Sequence, residues 1–271
     1  MKAKPGAESQ TRILDTFICK TGHPRPYETQ VVEHIVKVNG LPAGTKEVTF
    51  VHLSDIHAGY GGTEPVYEET IRRVNELNPD YLLVTGDYID DHAPDEHALP
   101  DLLHRIYPKY NTYVSLGNHD HRRGVSRVTR MLERSGVCVL NNGNVHTAKG
   151  LWIAGVDDYY EGKPNVEKAF KGIPPGVTSI LLSHNPTMLD FIKEHDSIQL
   201  SGHTHGGQIA IPFPNPRIVV KLHLRCDYVA GWYHYGKAKL YVSRGLGVTG
   251  KPYRINCPAE IGYFRLQPKN E

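Results

Sequence analysis

The chain has 271 residues, 39% of them hydrophobic and 22% charged, with a formal net charge of +2. This is ordinary globular composition, and a chain of this length can bury a sizeable core. Because the net charge is close to zero, there is no electrostatic case for nucleic acid as a partner, and none is expected. The four cysteines have no CxxC spacing, which argues against a zinc ribbon or a disulfide framework and favours a reducing compartment.

The amino-terminal region has no apolar run long enough for a signal peptide or a membrane span. The sequence therefore predicts a cytoplasmic protein, with peripheral contact at the inner membrane as an open alternative. Residues 1–25 are rich in Pro, Gly and polar residues and are predicted to form a poorly ordered arm. Residues 26–271 are predicted to form a single domain.

The first half of the chain alternates predicted strands with predicted helices. Strands are predicted at 29–37, 47–55, 81–87, 112–118 and 137–142, and helices from Pro65 to Asn78, at 96–107 and at 124–135. Such alternation indicates βαβ units and a largely parallel sheet.

The second half begins with a hairpin predicted at 144–156. It continues with a helix near 165–171, a strand at 177–184, a helix near 187–195 and a strand at 197–203. From Gln208 to Arg265 the sequence predicts strands only, among them RIVVKLHL at 217–224. The predicted fold class is α/β, a four-layer α-β-β-α sandwich of two mixed β-sheets flanked by helices, with an all-β carboxy-terminal segment.

Five short polar motifs lie at or just after the ends of predicted strands. They are DIH at 55–57, GD at 86–87, GNHD at 117–120, SHN at 183–185 and GHTHGG at 202–207. Asp, Asn and His suit hard to borderline divalent metals, and two such ions close together form a clamp for phosphoryl transfer. The order and placement of the motifs therefore predict a metal site at one rim of the sheets.

The motifs differ in specificity, and the glycine-framed GHTHGG is the strongest. Residues i and i+2 of an extended strand point the same way, so the two polar residues of DIH can reach one ion, as can the two histidines of GHTHGG. DIH, GD or SHN alone would be interpreted as a turn or a surface group. The carboxylate of Asp87 can bridge two cations, which an imidazole cannot do.

The GNHD motif offers both a ligand and a catalytic group. The amide oxygen of Asn118 suits a hard ion, while His119 faces the opposite way and is free for acid–base work. Asp120 is predicted to hold that imidazole in one tautomer and to raise its basicity. On its own, the tetrapeptide is equally compatible with a polar turn.

The whole series, D-x-H, G-D, G-N-H-[DE], H and G-H-x-H, resembles the pattern of the calcineurin-like metallophosphoesterases over roughly residues 47–265. The resemblance implies a first metal ion held by Asp55, His57, Asp87 and His205. It implies a second ion held by the bridging Asp87, Asn118, His184 and His203. His119 would then be the catalytic histidine, with Asp120 orienting it.

The resemblance also indicates the metals and the reaction. The iron branch of this superfamily has a tyrosine three residues after the GD aspartate, where this chain has Asp90, and Tyr88 is misplaced for that role. We therefore expect two divalent ions, Mn²⁺ first, with Fe²⁺, Zn²⁺ or Mg²⁺ as alternatives. A hydroxide bridging the ions would attack phosphorus, and His119 would protonate or stabilise the leaving oxygen.

HNP at 184–186, GHTHGGQ at 202–208 and YVSRGLG at 241–247 resemble a bacterial branch that includes enzymes cleaving UDP-2,3-diacylglucosamine. The resemblance implies a phosphodiester or pyrophosphate bond as the target and this or a similar nucleotide-diphospho-lipid as the substrate. Small phosphodiesters or phosphomonoesters are the alternative substrates, and a non-catalytic metal-binding scaffold is the alternative from another class.

Two further features concern the substrate. Arg244, beside GLG, is predicted to contact a substrate phosphate. The segment 211–233 mixes apolar and basic residues, and we interpret it either as a lip that contacts an acyl chain or a membrane, or as an ordinary core hairpin.

Overall fold

Two seven-stranded β-sheets pack against each other in the computed structural model, which describes residues 4–5, 10–20, 27–59, 63–91, 98–211 and 215–269. The first sheet contains, in spatial order, β2 (Gln10–Cys19), β3 (Tyr27–Val38), β14 (Ala259–Pro268), β4 (Val48–Ser54), β5 (Tyr81–Thr85), β6 (Asn111–Ser115) and β7 (Cys138–Val139). The second contains β1 (Lys4–Pro5), β12 (Gly231–Tyr235), β13 (Ala238–Val242), β11 (Ser197–Ser201), β10 (Ser179–Leu182), β9 (Trp152–Gly155) and β8 (Gly143–His146). Both sheets are mixed, with parallel pairs at β4–β5–β6 and at β9–β10–β11.

Helices cover the outer faces of the sheets. They are α1 (Glu64–Leu77), α2 (Ala98–His104), α3 (Asn118–Arg122), α4 (Val125–Arg134), α5 (Val166–Ala169) and α6 (Pro216–Leu224), with 3₁₀ turns at Pro186–Phe191 and His205–Gly207. Within the described ranges, no helix combines the length and the apolar composition that a membrane crossing requires.

Three apolar clusters explain the layering. One lies between the sheets, where the rings of Phe50 and Phe264 stack with centroids 4.7 Å apart. A second joins the first sheet to α1, α2 and α4, and a third joins the second sheet to the chain around α5 and α6. This arrangement confirms the predicted sandwich of two mixed sheets flanked by helices.

The carboxy-terminal segment is not all-β as predicted, because 216–224 forms α6. The side chain of Asn215 caps this helix by accepting a hydrogen bond from the backbone N–H of Arg217 at 2.9 Å, and Pro216 begins the first turn. These two start signals outweigh the β-branched residues of RIVVKLHL. The strands predicted around 227–235, 237–244 and 259–266 are present as β12, β13 and β14.

The predicted poorly ordered arm at 1–25 is also corrected, since residues 10–19 form β2 at the edge of the first sheet, antiparallel to β3. The β-branched and aromatic residues of TRILDTFI favour a strand despite the flanking Pro and Gly. Phe17 and Cys19 are buried, and the Cys19 thiol donates to the Pro65 carbonyl at 3.4 Å. Residues 1–3, 6–9 and 21–25 of the arm lie outside the described residues.

The topology determines where the polar motifs meet. DIH, GD and GNHD follow the carboxyl ends of β4, β5 and β6, and SHN and GHTHGG follow those of β10 and β11. Because parallel strands end at the same edge, each sheet contributes its motifs to one rim, as ligand sites in α/β sheets commonly require.

Candidate metal centre

Asp87 lies at the centre of the rim. Its Oδ2 is 3.0 Å from Nε2 of His184 and 3.7 Å from Nε2 of His57. Its Oδ1 accepts a hydrogen bond from the backbone N–H of His119 at 2.9 Å. The carboxylate therefore stands between side chains from both sheets, which is the position that a bridging ligand needs.

Carboxylate and imidazole groups gather on either side of Asp87. Among the described residues, three groups have candidate ligand atoms that lie within 4.8 Å of one another: Asp55, His57 and His205; Asp87, His184 and His203; and His57, Asp90 and His119. The first two groups together contain six residues. These six residues are at most 8% exposed. Nε2 of His205 is 3.3 Å from Oδ1 of Asp55 and 3.1 Å from Nε2 of His57. The grouping supports the division into two ions that the resemblance implies.

Buried polar atoms in these groups fit a cation. Oδ1 of Asn118 and Nε2 of His203 have no hydrogen-bond partner among the described residues. Nδ1 of His184 donates to the carbonyl of Thr85 at 2.8 Å, and Nε2 of the same ring lies 3.0 Å from Oδ2 of Asp87. Against the effect of burial, the charge of Asp87 raises the pKa of His184 well above its ordinary value. Unsatisfied buried polar groups cost about 1–3 kcal/mol each. A divalent ion between them would supply the missing partner.

The charge states also fit metal binding. Burial lowers the pKa of His203 to about 3. Burial, together with the charges of His57 and Arg254, lowers the pKa of His205 well below its ordinary range. Both rings are therefore neutral near pH 7, the form that binds metal. Burial alone would raise the pKa of Asp87, but the facing imidazoles, His184 first, lower it and keep the carboxylate ionised.

The side chains are presented by left-handed backbone rather than by extended strand. Positive φ angles of 48° to 71° occur at Asp55, His57, Asp87, His203 and His205. The extended i, i+2 geometry predicted for DIH and GHTHGG is therefore wrong. Asp55 and His57 still reach one group, whereas His203 and His205 reach different groups. Backbone hydrogen bonds hold the strained segments instead, from Asp55 N to Gly86 O at 3.1 Å and from His57 N to Asp87 O at 3.0 Å. Such strain, of order 1–3 kcal/mol per residue, is typical of functional sites.

Two glycines allow the motifs to approach each other. A Cβ atom at Gly202 would overlap the carboxylate of Asp55, and one at Gly117 would overlap the carboxylate of Asp87. The backbone N–H of His203 donates to Oδ1 of Asp55 at 2.9 Å across the first of these approaches. Glycine is therefore required where GHTHGG meets DIH and where GNHD meets GD.

His119 stands at the solvent side of the centre, with 15% of its side chain exposed. Its Nδ1 lies 3.0 Å from Oδ2 of Asp91, and its Nε2 lies 4.0 Å from Oδ2 of Asp87. The carboxylate that pairs with the imidazole is therefore that of Asp91, which the sequence analysis did not select.

The predicted role of Asp120 is wrong. Its carboxylate accepts hydrogen bonds from the backbone N–H groups of Asp87 at 2.9 Å, Tyr88 at 2.9 Å and Gly117 at 2.8 Å. Burial, followed by the charge of Asp87, raises the pKa of Asp120 to about 7. Asp120 thus ties GNHD to GD and does not touch the imidazole of His119 through any described contact.

Asp90 is a second acid that the sequence analysis did not assign to the site. Its Oδ2 is 3.3 Å from Nδ1 of His57, which leaves Nε2 of that ring to face Asp87. The hydroxyl of Tyr88 donates to the carbonyl of Ser115 at 2.8 Å and so points away from the centre, as its spacing suggests. The signal for both missed residues is the acid pair at 90–91, which begins three residues after the aspartate of GD.

Arg244 does not line the cleft beside the metal-ligand candidates. Its Nε is 2.8 Å from Oε2 of Glu260, and its Nη2 donates to Gln30 at 3.1 Å. These contacts give no support to the predicted phosphate contact, which stays a prediction. The partly buried Arg254 is the arginine next to the site, since its guanidinium donates to the carbonyls of His205 at 3.3 Å and Gly247 at 2.6 Å. It fixes the backbone that carries His205.

A cleft of about 1050 Å³ opens from the candidate centre. One wall contains Asp87, Asn118, His119, His203 and His205. The other is apolar and contains Ile209, Ile211, Val219, Val220 and Leu224. The basic residues Arg122, Arg225 and Lys251 also line the cleft.

Tyr160 joins the two walls of the cleft. Its hydroxyl donates to the carbonyl of Leu224 at 2.5 Å, and the centroid of its ring lies 5.5 Å from that of the His203 ring. Residues 216–224 form a helix, so the segment 211–233 is not a hairpin, although its residues Val220, Tyr228 and Tyr233 do lie in the apolar core.

Comparison with known proteins agrees with this geometry. Residues 48–207 match the model of the calcineurin-like phosphoesterase family. The chain is 34% identical over 234 residues to an uncharacterized metallophosphoesterase of Helicobacter pylori, covering 83% of this chain and 61% of that protein. It is 33% identical over 255 residues to the uncharacterized metallophosphoesterase YkuE of Bacillus subtilis, and this match covers 90% of this chain and 88% of that protein. A transmembrane protein with metallophosphoesterase domain from Danio rerio is 30% identical over 250 residues, and this match covers 86% of this chain and 56% of that protein.

The chain belongs to the calcineurin-like phosphoesterase family. The family and the names of the relatives confirm the predicted enzyme class, a metal-dependent phosphohydrolase. Enzymes of this family use a binuclear divalent metal centre, and the two side-chain groups at Asp87 are suited to hold one. The chain spans 61% of the length of the Helicobacter relative, and the names of these three relatives state no substrate.

Proposed function

We propose that this chain hydrolyses a phosphodiester or pyrophosphate bond with two divalent ions, Mn²⁺ being the first choice. The observation that carries the proposal is the Asp87 carboxylate between two groups of buried ligand-type side chains. One ion would be held by Asp55, His57, Asp87 and His205, and the other by Asp87, Asn118, His184 and His203. Two such ions lower the pKa of a bound water and offset charge on the phosphoryl oxygens.

His119 supplies the proton for the leaving oxygen in this proposal. Asp91 pairs with Nδ1 of the imidazole at 3.0 Å, which leaves Nε2 on the side of Asp87 and the cleft. The carboxylate orients the imidazole ring. Protonation of a leaving group by a positioned histidine contributes about 10²–10⁴-fold to the rate.

The apolar wall of the cleft supports a substrate that carries a hydrocarbon chain. Val219, Val220 and Leu224 of α6 face the same cleft as the metal-ligand candidates. A phosphoester bound between the walls would place its phosphate at the polar wall and its chain along the apolar wall. UDP-2,3-diacylglucosamine or a similar nucleotide-diphospho-lipid is the specific candidate, and the cytoplasmic face of the inner membrane is the corresponding location.

The first experiment tests the reaction. The protein is stripped with a chelator and reloaded with Mn²⁺, and hydrolysis of bis-p-nitrophenyl phosphate is compared with that of p-nitrophenyl phosphate. We expect Mn²⁺-dependent turnover that favours the diester and that His119→Ala loses. A purified protein that binds no divalent metal would contradict the proposal and revive the scaffold alternative.

The second experiment tests the apolar wall with phosphodiesters that share one head group and differ in alkyl chain length. Leu224→Ser should raise KM for the long-chain diester roughly tenfold, because a buried leucine contributes about 1.5–3 kcal/mol, and should leave the short diester unaffected. Leu222→Ser is the matched control, since Leu222 is on the same helix but does not line the cleft. A KM that is independent of chain length would favour a general phosphodiesterase.

A further inference from the structure

The helix α6 has a second apolar side that faces solvent. Ile218 is 54% exposed and Leu222 is 73% exposed, the largest value among the exposed large hydrophobic residues. Residues four apart lie next to each other on a helix, so the two side chains form one patch. Val220, in contrast, is buried in the cluster that joins α6 to the second sheet. The helix is therefore anchored by one side while it presents another.

Basic residues surround this patch. Arg217, Lys221 and Arg225 are exposed, and the segment from Asn215 to Cys226 contains no acidic residue. Asp227 follows, and it forms an ion pair with Lys221 at 2.6 Å. A surface helix that combines protruding apolar side chains with positive charge is complementary to an anionic lipid surface.

The edge strand β2 provides an instructive contrast, because it also exposes two isoleucines, Ile13 at 55% and Ile18 at 64%. The charges beside them have both signs. Asp15 forms an ion pair with Arg73, and Arg12 pairs with Glu33. Exposed apolar residues alone therefore do not distinguish α6, but their combination with an excess of positive charge does, since three exposed basic residues stand beside one acid, Asp227.

We infer that α6 docks the protein on the surface of an anionic lipid bilayer, with Ile218 and Leu222 inserted at the boundary between head groups and acyl chains. The same helix contributes Val219 and Leu224 to the cleft, so docking brings the cleft beside the bilayer. The inference goes beyond the proposed function, because it concerns where the protein binds and not which bond it cleaves.

The test is flotation of the full chain with vesicles of phosphatidylcholine alone or mixed with phosphatidylglycerol. We expect binding to the anionic vesicles only, weakened by salt because the charges are exposed. The double variant Ile218→Ser with Leu222→Ser should bind at least about tenfold more weakly, since each side chain loses about 1.5–3 kcal/mol of burial. Ile13→Ser with Ile18→Ser is the matched control and should bind like the unaltered chain.

Turnover of bis-p-nitrophenyl phosphate should be the same in the α6 double variant as in the unaltered chain, which shows that the variant is folded. Vesicle binding is measured without substrate, so its outcome is separate from that of the proposed reaction. Equal binding to both kinds of vesicle, or binding that the double variant retains, would overturn the inference. So would a dimer that the double variant converts to a monomer, since a second copy would then cover α6.

Discussion

The two walls of the cleft are built in opposite ways. The polar wall combines the ends of strands from both sheets, its ligand-type side chains are almost fully buried, and backbone hydrogen bonds hold them in left-handed conformations. The apolar wall depends largely on α6, a nine-residue helix that is partly exposed. A substitution in the polar wall disturbs many contacts at once, whereas a substitution on the exposed side of α6 disturbs few. We therefore expect the first wall to determine the reaction and the second to determine which molecules reach it.

The strongest disruption of the polar wall is Asp87→Ala. This carboxylate contacts side chains of both metal-ligand groups, so we expect both metal content and turnover to be lost. The loss of turnover should exceed the roughly 10–100-fold that follows from removal of an outer partner of a metal ligand. Metal analysis and hydrolysis of bis-p-nitrophenyl phosphate check the outcome.

Asp80→Asn is the matched control for that variant. Asp80 is also a buried acid, but it precedes β5 while Asp87 follows it, and its carboxylate accepts a hydrogen bond from the backbone N–H of Thr49 at 2.8 Å. The control should be less stable and still bind metal. If both variants kept their metals, Asp87 would not be a ligand.

His119→Ala separates chemistry from metal binding within the polar wall. Turnover should fall by about 10²–10⁴-fold because the general acid is lost, while metal content is unchanged. His121→Ala is the comparison, since His121 lies on the same short helix and pairs with Asp157 at 2.7 Å. Equal loss of turnover in the two variants would argue against a specific role for His119.

Asp91→Asn and Asp120→Asn distinguish the acid that contacts His119 from the acid that ties two loops. The first should lower kcat by roughly 10–100-fold with little change in stability. The second should mainly lower the free energy of unfolding, by about 1–3 kcal/mol, because an amide NH₂ group cannot accept the backbone hydrogen bonds of the oxygen that it replaces. Thermal unfolding and kcat measured on the same samples decide between these roles.

The smallest effect concerns the pair His121–Asp157, which joins α3 to the loop after β9. The hydrogen bond that His121 donates to Asp157 raises the pKa of His121, and the same bond lowers the pKa of Asp157 against the effect of burial. The histidine's contribution is lost as pH rises through its raised pKa, and that of the aspartate is lost as pH falls through its lowered pKa. His121→Ala should therefore lower stability most between about pH 4 and 6.5, by on the order of 1 kcal/mol or less. A difference in melting temperature that did not vary with pH would contradict this.

The sequence predicts the polar wall well because its signals are local and repeated. Each motif follows a strand, and parallel strands end at the same edge, so the meeting of Asp55, Asp87 and His205 follows from topology. The errors concern side-chain direction. Which acid contacts His119, and whether Arg244 faces the cleft, depends on loop paths that no spacing rule encodes. At α6 the strand prediction is wrong because the cap at Asn215 outweighs the β-branched composition of the segment.

The distribution of the ligand-type residues along the chain has a consequence for the order of folding. His57 and His205 are 148 positions apart in sequence and belong to different sheets, yet their rings touch. Closing so long a loop is entropically costly, so the complete site can form only after the sheets have packed together. Metal would then bind the native chain alone, and each ion at 100 times its dissociation constant would add about 2.7 kcal/mol to the unfolding free energy. The ions would therefore stabilise the packing of the two sheets only after folding has brought the sheets together.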